Sequence, residues 1–302
     1  MEPDAVGGIL EKEKREKAGR NHALYIAAKD GDVVSVKALL AAGAEAADQF
    51  DFDRALEGAL GKGDAKSVRA LIAAGANPNI KRYGYALLIH AADQGSLDLV
   101  QALIEGGAHL NVTDHGRHTP LIKAASRGSE ACVNALIAAG ADLELKDHVD
   151  DTALRVAALK GHAACVKLLL DAGAVVDAAD DMYTHRTAFM NAVFKSQIEC
   201  VKILVQGGAD VNAKDKYGNS YGGTALIQAA EMGDIDCVNA LIAGGAHVNS
   251  AQDGATVLDR AHTNVKSVLR NAGAKSRVDL MMAGLASELG ITAILTSLRR
   301  NK

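Results

Sequence analysis

Tryptophan is absent from this 302-residue chain, and aromatic residues make up only 3% of it. A core so poor in rings must be built from alanine, leucine, isoleucine and valine, which suits thin stacked helices. Basic charge is not in surplus: 33 Lys and Arg face 37 Asp and Glu, a formal net charge of −4. That excludes the positive footprint expected of a nucleic-acid binder. The opening residues, Met1-Glu2-Pro3-Asp4, lack the basic and apolar regions of a signal peptide. The one long apolar run, residues 280–298, carries Glu288 near its middle along with Ser287, Thr292, Thr296 and Ser297. A carboxylate at that depth in a bilayer is costly, so an amphipathic terminal helix is expected and no membrane partner. The expected location is cytoplasmic.

Catalytic signatures are missing as well. Gly58-Ala59-Leu60-Gly61-Lys62-Gly63 superficially resembles a phosphate loop, but it lacks the required spacing and the Ser or Thr after the Lys. No His-Glu-x-x-His or Gly-x-Ser-x-Gly motif occurs. No enzyme activity and no cofactor are expected.

Cysteine is scarce but ordered. Cys132, Cys165, Cys200 and Cys237 each precede a Gly-Ala pair by eight residues. Equivalent points on stacked helices lie about 10 Å apart, too far for a disulfide, whose Cα atoms must come within about 7 Å. The column reads as small buried hydrophobes in reduced surroundings.

What the chain does have is a repeat. An aliphatic helix end followed by Gly-Ala recurs at Gly43, Gly75, Gly107, Gly140, Gly173, Gly208, Gly245 and Gly273, at spacings of 32, 32, 33, 33, 35, 37 and 28. A period near 33 marks a solenoid of helix pairs. Within 111–141, the polar stretch Asn111 to His118 signals a turn. Thr119 can cap a helix whose first turn accepts Pro120. Gly128 ends that helix, a second begins near Glu130, and Gly140 stops it as a left-handed residue.

Thr119-Pro120-Leu121 with Ala124-Ala125, and Gly140-Ala141-Asp142, resemble the ankyrin repeat. The pattern recurs at Thr152-Ala153-Leu154, at Thr224-Ala225-Leu226 and, weaker, at Thr187-Ala188-Phe189. The family's His after the Leu is replaced by Ile122, Arg155, Met190 and Ile227. The resemblance spans about eight units over residues 21–274, the last one shortened. It implies an all-α solenoid with β-hairpin fingers, and binding through the finger tips and the exposed side of each first helix, which together form the concave face. A charged N-terminal segment, 1–20, and an amphipathic capping helix, 275–302, flank the array.

Seven of the ten aromatic residues fall in the expected fingers: Phe50, Phe52, Tyr83, Tyr85, Tyr183, Tyr217 and Tyr221. Rings in loops on a rigid scaffold are the material of interface hot spots, and neighbouring rings could equally stabilise the hairpins. Arg82, His115, Arg117, His118, His148, His185 and Arg186 join them as candidate partner contacts. Two fingers are long, with 14 residues from Gly173 to Thr187 and 16 from Gly208 to Thr224. The histidines and carboxylates around 115–151 suggest metal binding, but separate finger tips match no compact ligand set, so no metal site is expected. Asn79, Asn111, Asn212 and Asn249 are expected to stabilise their own hairpins. The combined expectation is a monomeric, non-catalytic module for an unidentified protein partner, acting as a scaffold or adaptor. A blocking inhibitor or effector and a homo-oligomer built through the last helix are the alternatives.

Overall fold

The structure, a computed structural model, describes residues 3–44, 49–82, 84–180, 185–214, 225–252 and 254–288. The chain divides into two compact units, the first ending at His148 and the second beginning at Val149. The first unit contains helices α1 (Pro3–Asp30), α2 (Val33–Ala41), α3 (Gln49–Lys62) and α4 (Ala65–Ala73). A short hairpin, β1 (Lys81–Arg82) and β2 (Tyr85–Ala86), leads to α5 (Leu87–Gln94), α6 (Leu97–Glu105), α7 (Pro120–Arg127) and α8 (Glu130–Ala138). The second unit contains α9 (Ala153–Lys160), α10 (Ala163–Asp171), α11 (Ala188–Phe194), α12 (Ile198–Gln206), α13 (Ala225–Met232) and α14 (Ile235–Ala243). A second hairpin, β3 (Ala251–Gln252) and β4 (Ala255–Thr256), precedes α15 (Val257–Arg260), α16 (Lys266–Asn271) and α17 (Arg277–Glu288).

The helix boundaries follow from a few polar atoms. Thr119 Oγ1 accepts the N–H of Ile122 at 3.2 Å, with Pro120 in the first turn. Thr152 and Thr187 repeat the cap, and Thr256 forms a full capping box with Asp259. Asp32, Asp64 and Asp234 cap second helices in the same way. At Gly140 (φ 91°) the second helix closes on a left-handed residue. Gly140 N donates to Ile137 O and Ala141 N to Leu136 O, the paired bonds of a Schellman end. This is the physical content of the recurring Gly-Ala pair: the glycine takes the left-handed conformation and the alanine is tucked under the helix, buried in every copy.

The core is aliphatic, as the composition requires. First helices contribute Leu121, Ala124 and Ala125 and their equivalents, and second helices contribute Val133 and Leu136. Within each unit first helices pack on first helices (α5 on α7, α9 on α11) and second helices on second helices (α4 on α6, α12 on α14). All four cysteines are buried and form no disulfide.

Two expectations need correction. Phe52 does not sit in a finger: α3 begins early enough to include it, and its ring is fully buried. The asparagines do more than hold their own hairpins. Asn79 Nδ2 donates to Gly107 O (3.2 Å) and its Oδ1 accepts His109 N (2.7 Å), so it staples one finger to the next repeat. Asn212 and Asn249 do the same to Gly245 and His247, and to Gly273 and Lys275. Asn111 accepts Asp142 N at 3.0 Å. The described part of α17 keeps apolar side chains in solvent, with Val278 67% and Met281 58% exposed, and Leu289, Leu295 and Leu298 of the expected capping face lie outside the described residues. Residues 3–20 of the charged segment belong to the first helix, α1, whose Leu24, Ala27 and Ala28 are buried.

Candidate functional site

In the first unit, the finger side chains are brought into register by the stacking of successive repeats. Gly84, with φ at 85°, turns the β1–β2 hairpin and lies so close to the next finger that a Cβ there would meet His115 Nε2 at 3.0 Å. Tyr85, 39% exposed, meets the His115 ring edge-on, with centroids 5.4 Å apart and planes at 70°. The following finger is closed on itself. Asp114 accepts the His118 N–H at 2.8 Å, while Asp114 N donates to His118 O and Arg117 N to Asp114 O. The closure requires Arg117 to adopt a left-handed φ of 57°. Asp114 also receives the His118 ring at 3.0 Å and the Lys123 ammonium at 3.3 Å. Burial alone would raise its pKa, but the His118 N–H, the His118 ring and Lys123 together hold it below the usual carboxylate range.

The next repeat adds His148. Its backbone N–H and its Nδ1 both reach Gly116 O at 3.0 Å. Its ring stands edge-on to His118, with centroids 5.6 Å apart. The buried Asp147 lies beside them, its Oδ2 3.7 Å from His118 Nε2. Ring nitrogens of His118 and His148 and a carboxylate oxygen of Asp147 all lie within 4.8 Å of one another. The sequence pattern disperses these residues over separate tips. Stacking brings residues about 30 apart in sequence, such as 118 and 148, side by side.

In the second unit, Asp180 organises the long finger. It accepts the backbone N–H groups of His185 and Arg186, both at 3.2 Å, and pairs with the Arg155 guanidinium at 2.9 Å. Arg155 is buried, donates to Asp150 O at 2.8 Å and forms an ion pair with Asp151 at 3.0 Å. Arg186 lies over the Phe194 ring at 4.7 Å, which takes it out of the category of a free contact residue. His185 lines an open cleft of about 430 Å³ with Asp177, Met190, Asp210 and Lys214.

Tyr83, Tyr183, Tyr217 and Tyr221 lie outside the described residues, and Phe50 and Arg82 are described only as parts of α3 and β1. The structure thus joins Tyr85 to His115 and His118 to His148, and it removes Phe52 from the set. Sequence reasoning missed Asp114, Asp147 and Arg155. The first two had a signal: each lies three residues beyond Asn111 or the equivalent Glu144, at the start of a finger. Arg155 stands where the family has His, and only the structure shows its carboxylate partners.

A family model of ankyrin repeats in sets of three copies matches residues 56–147 and 121–215, and a single ankyrin-repeat model matches 221–254. The chain belongs to the ankyrin-repeat family, whose domains are generally protein–protein interaction modules. The human ASB11 ankyrin repeat domain is 28% identical, with a TM-score of 0.61, over 73% of this chain and 98% of that one. The ankyrin repeat domain of Bcl-3, described as a unique member of the IkappaB protein family, is 29% identical, with a TM-score of 0.64, over 71% and 97% of the two chains. No curated protein matches the chain. Among the described residues no helix is long and apolar enough to cross a membrane.

Proposed function

We propose that the chain is a non-catalytic module that binds a protein partner through its finger tips and the adjacent first-helix faces. The observation that carries this reading is the run of side chains on successive fingers of the first unit, Tyr85 against His115 and then His118 against His148. The His148 ring is held by the Gly116 carbonyl, the His118 ring by the Asp114 carboxylate, and Tyr85 and His115 by each other, so less conformational entropy is lost when a partner covers them. Arg117, next to them on a constrained backbone, adds a charge suited to a carboxylate or a carbonyl cluster. A few adjacent repeats supply the roughly 800 Å² per partner of a standard interface. The four buried cysteines, none in a disulfide, suit a reducing compartment, and a cytoplasmic location follows on this reading.

The test is affinity capture from native lysate with wild type beside a Tyr85→Ala, His115→Ala, Arg117→Ala variant, after both give the same circular dichroism and melting. A protein held by wild type and released by the variant supports the reading. Equal capture by both removes the first-unit fingers from the interface. One observation favours a second reading. The exposed Val278, Met281 and Met282 on α17 would serve self-association. Light scattering with and without residues 276–302 decides it, since an unchanged monomer in both ends that idea.

A further inference from the structure

We propose that His118, Asp147 and His148 form a binding site for a single divalent transition-metal ion of the zinc class. The proposal stands on the geometry of this cluster and does not depend on the protein-binding reading.

Two imidazoles and a carboxylate are the donor set that zinc and its neighbours in the first transition row prefer, whereas magnesium and calcium take oxygen ligands. The tautomers are already set. Gly116 O can only accept, so the His148 Nδ1 that meets it at 3.0 Å carries the hydrogen and leaves Nε2 with its lone pair. The Asp114 carboxylate likewise accepts from His118 Nδ1 at 3.0 Å, which leaves His118 Nε2 as the ligating nitrogen. Carboxylate–histidine and carbonyl–histidine bonds of this kind are the outer partners that orient metal-bound imidazoles and raise their basicity.

The donors also converge. His118 Nε2 lies 3.7 Å from Asp147 Oδ2, and His148 on the open side supplies the third donor. Tetrahedral zinc with Zn–N near 2.0–2.1 Å places its ligand atoms about 3.3 Å apart. The present separations, all within 4.8 Å, are wider than that spacing, so binding would draw the three side chains together. Three protein ligands leave a fourth position for water or for a donor from outside. Because the ligands come from consecutive fingers, occupancy would clamp one finger to the next.

The experiment titrates the metal-free full chain with Co²⁺, read by its visible d–d bands, and with Zn²⁺, read by calorimetry and by melting temperature. The comparison proteins are His148→Ala, His118→Gln and a control, His185→Ala, from the other unit. We expect one Zn²⁺ per chain, an intense tetrahedral-type cobalt spectrum and a raised melting temperature. His148→Ala and His118→Gln should each weaken binding by tenfold or more and abolish the tetrahedral bands, while His185→Ala behaves as wild type and Mg²⁺ gives none of these signals. His148 is exposed, so its replacement tests the site even if His118→Gln disturbs the finger. Absence of binding by Co²⁺ and Zn²⁺ would overturn the proposal. Binding unchanged in both ligand variants would overturn it as well, by placing the metal on other surface histidines.

Discussion

Asn212 on one finger holds His247 of the next repeat: its Oδ1 accepts the His247 N–H at 2.8 Å while its Nδ2 donates to Gly245 O at 3.2 Å. Asn79 and Asn249 make the same pair of hydrogen bonds to their neighbours. The structurally equivalent residue of the fifth Gly-Ala unit is Asp177, which accepts Asp210 N at 3.2 Å through both carboxylate oxygens. A carboxylate cannot supply the second, donating half of the staple.

Asp177→Asn is therefore expected to stabilise the protein at neutral pH by about 1 kcal/mol, the usual net worth of one added hydrogen bond. The residue as a whole is exposed, yet desolvation of its carboxylate raises the pKa. The Asp210 N–H opposes that shift and the Asp210 charge adds to it. A carboxyl whose pKa is raised on folding contributes stability when protonated and loses it as pH rises through the folded value. The advantage of the Asn variant should accordingly shrink as pH falls through that value. Urea melts at neutral and acid pH measure it; an unchanged or reduced midpoint at neutral pH would refute the argument.

Phe52 and Tyr85 should separate cleanly in a stability assay. Phe52 is among the largest fully buried side chains in the chain, and Phe52→Ala should cost about 3–5 kcal/mol. Tyr85, on the hairpin surface, should cost about 0.5 kcal/mol or less beyond its contact with His115. Chemical denaturation of both variants checks the ordering. A binding loss caused by Phe52→Ala would accordingly report unfolding and not a lost contact.

These same residues show which features are legible in the sequence. Periodicity and local capping chemistry are short-range, so Thr119, Gly128 and Gly140 announce their helix ends from the sequence alone. The shortened last unit is legible for the same reason, and α15 spans only Val257–Arg260. Phe52 is easily misplaced because the start of a helix without a Thr-Pro signal has no local marker. The site is harder to read. Its contacts join residues 30 apart, as with Tyr85 and His115 or His118 and His148, and they depend on the offset between stacked fingers. No single repeat encodes that offset. The geometry of Asp147 in particular depends on a neighbour outside its own repeat.

The cysteine column makes a chemical prediction. Burial pushes the Cys200 thiol up to about 11, helped by Cys165 and Glu199. Burial also raises Cys237, reinforced by Asp234 and Asp236, and raises Cys132 against the opposing effects of Ser129 and Arg127. A thiol reacts as its thiolate, so at mildly alkaline pH a disulfide reagent should label the native protein slowly and all four positions rapidly in denaturant. Rapid native labelling of several cysteines would mean that the second helices open far more readily than their packing implies.

Arg155 tests whether the long finger is built from its buried anchor outward. Its guanidinium donates to Asp180 and to the Asp150 carbonyl and forms an ion pair with Asp151, and the Arg155 and Asp180 side chains are almost wholly removed from solvent. Arg155→Met keeps the bulk but strands the Asp180 charge in a poorly solvated place. Breaking one half of a buried pair typically costs about 3–5 kcal/mol. Because Asp180 also receives the His185 and Arg186 N–H groups, the loss should appear locally as faster hydrogen exchange at those two amides. Adding Asp180→Asn to Arg155→Met should recover part of the stability, since the stranded charge is then gone and one acceptor oxygen remains for the finger. If the double variant were no more stable than Arg155→Met alone, the cost would lie in lost packing of the arginine stem and not in the uncompensated carboxylate.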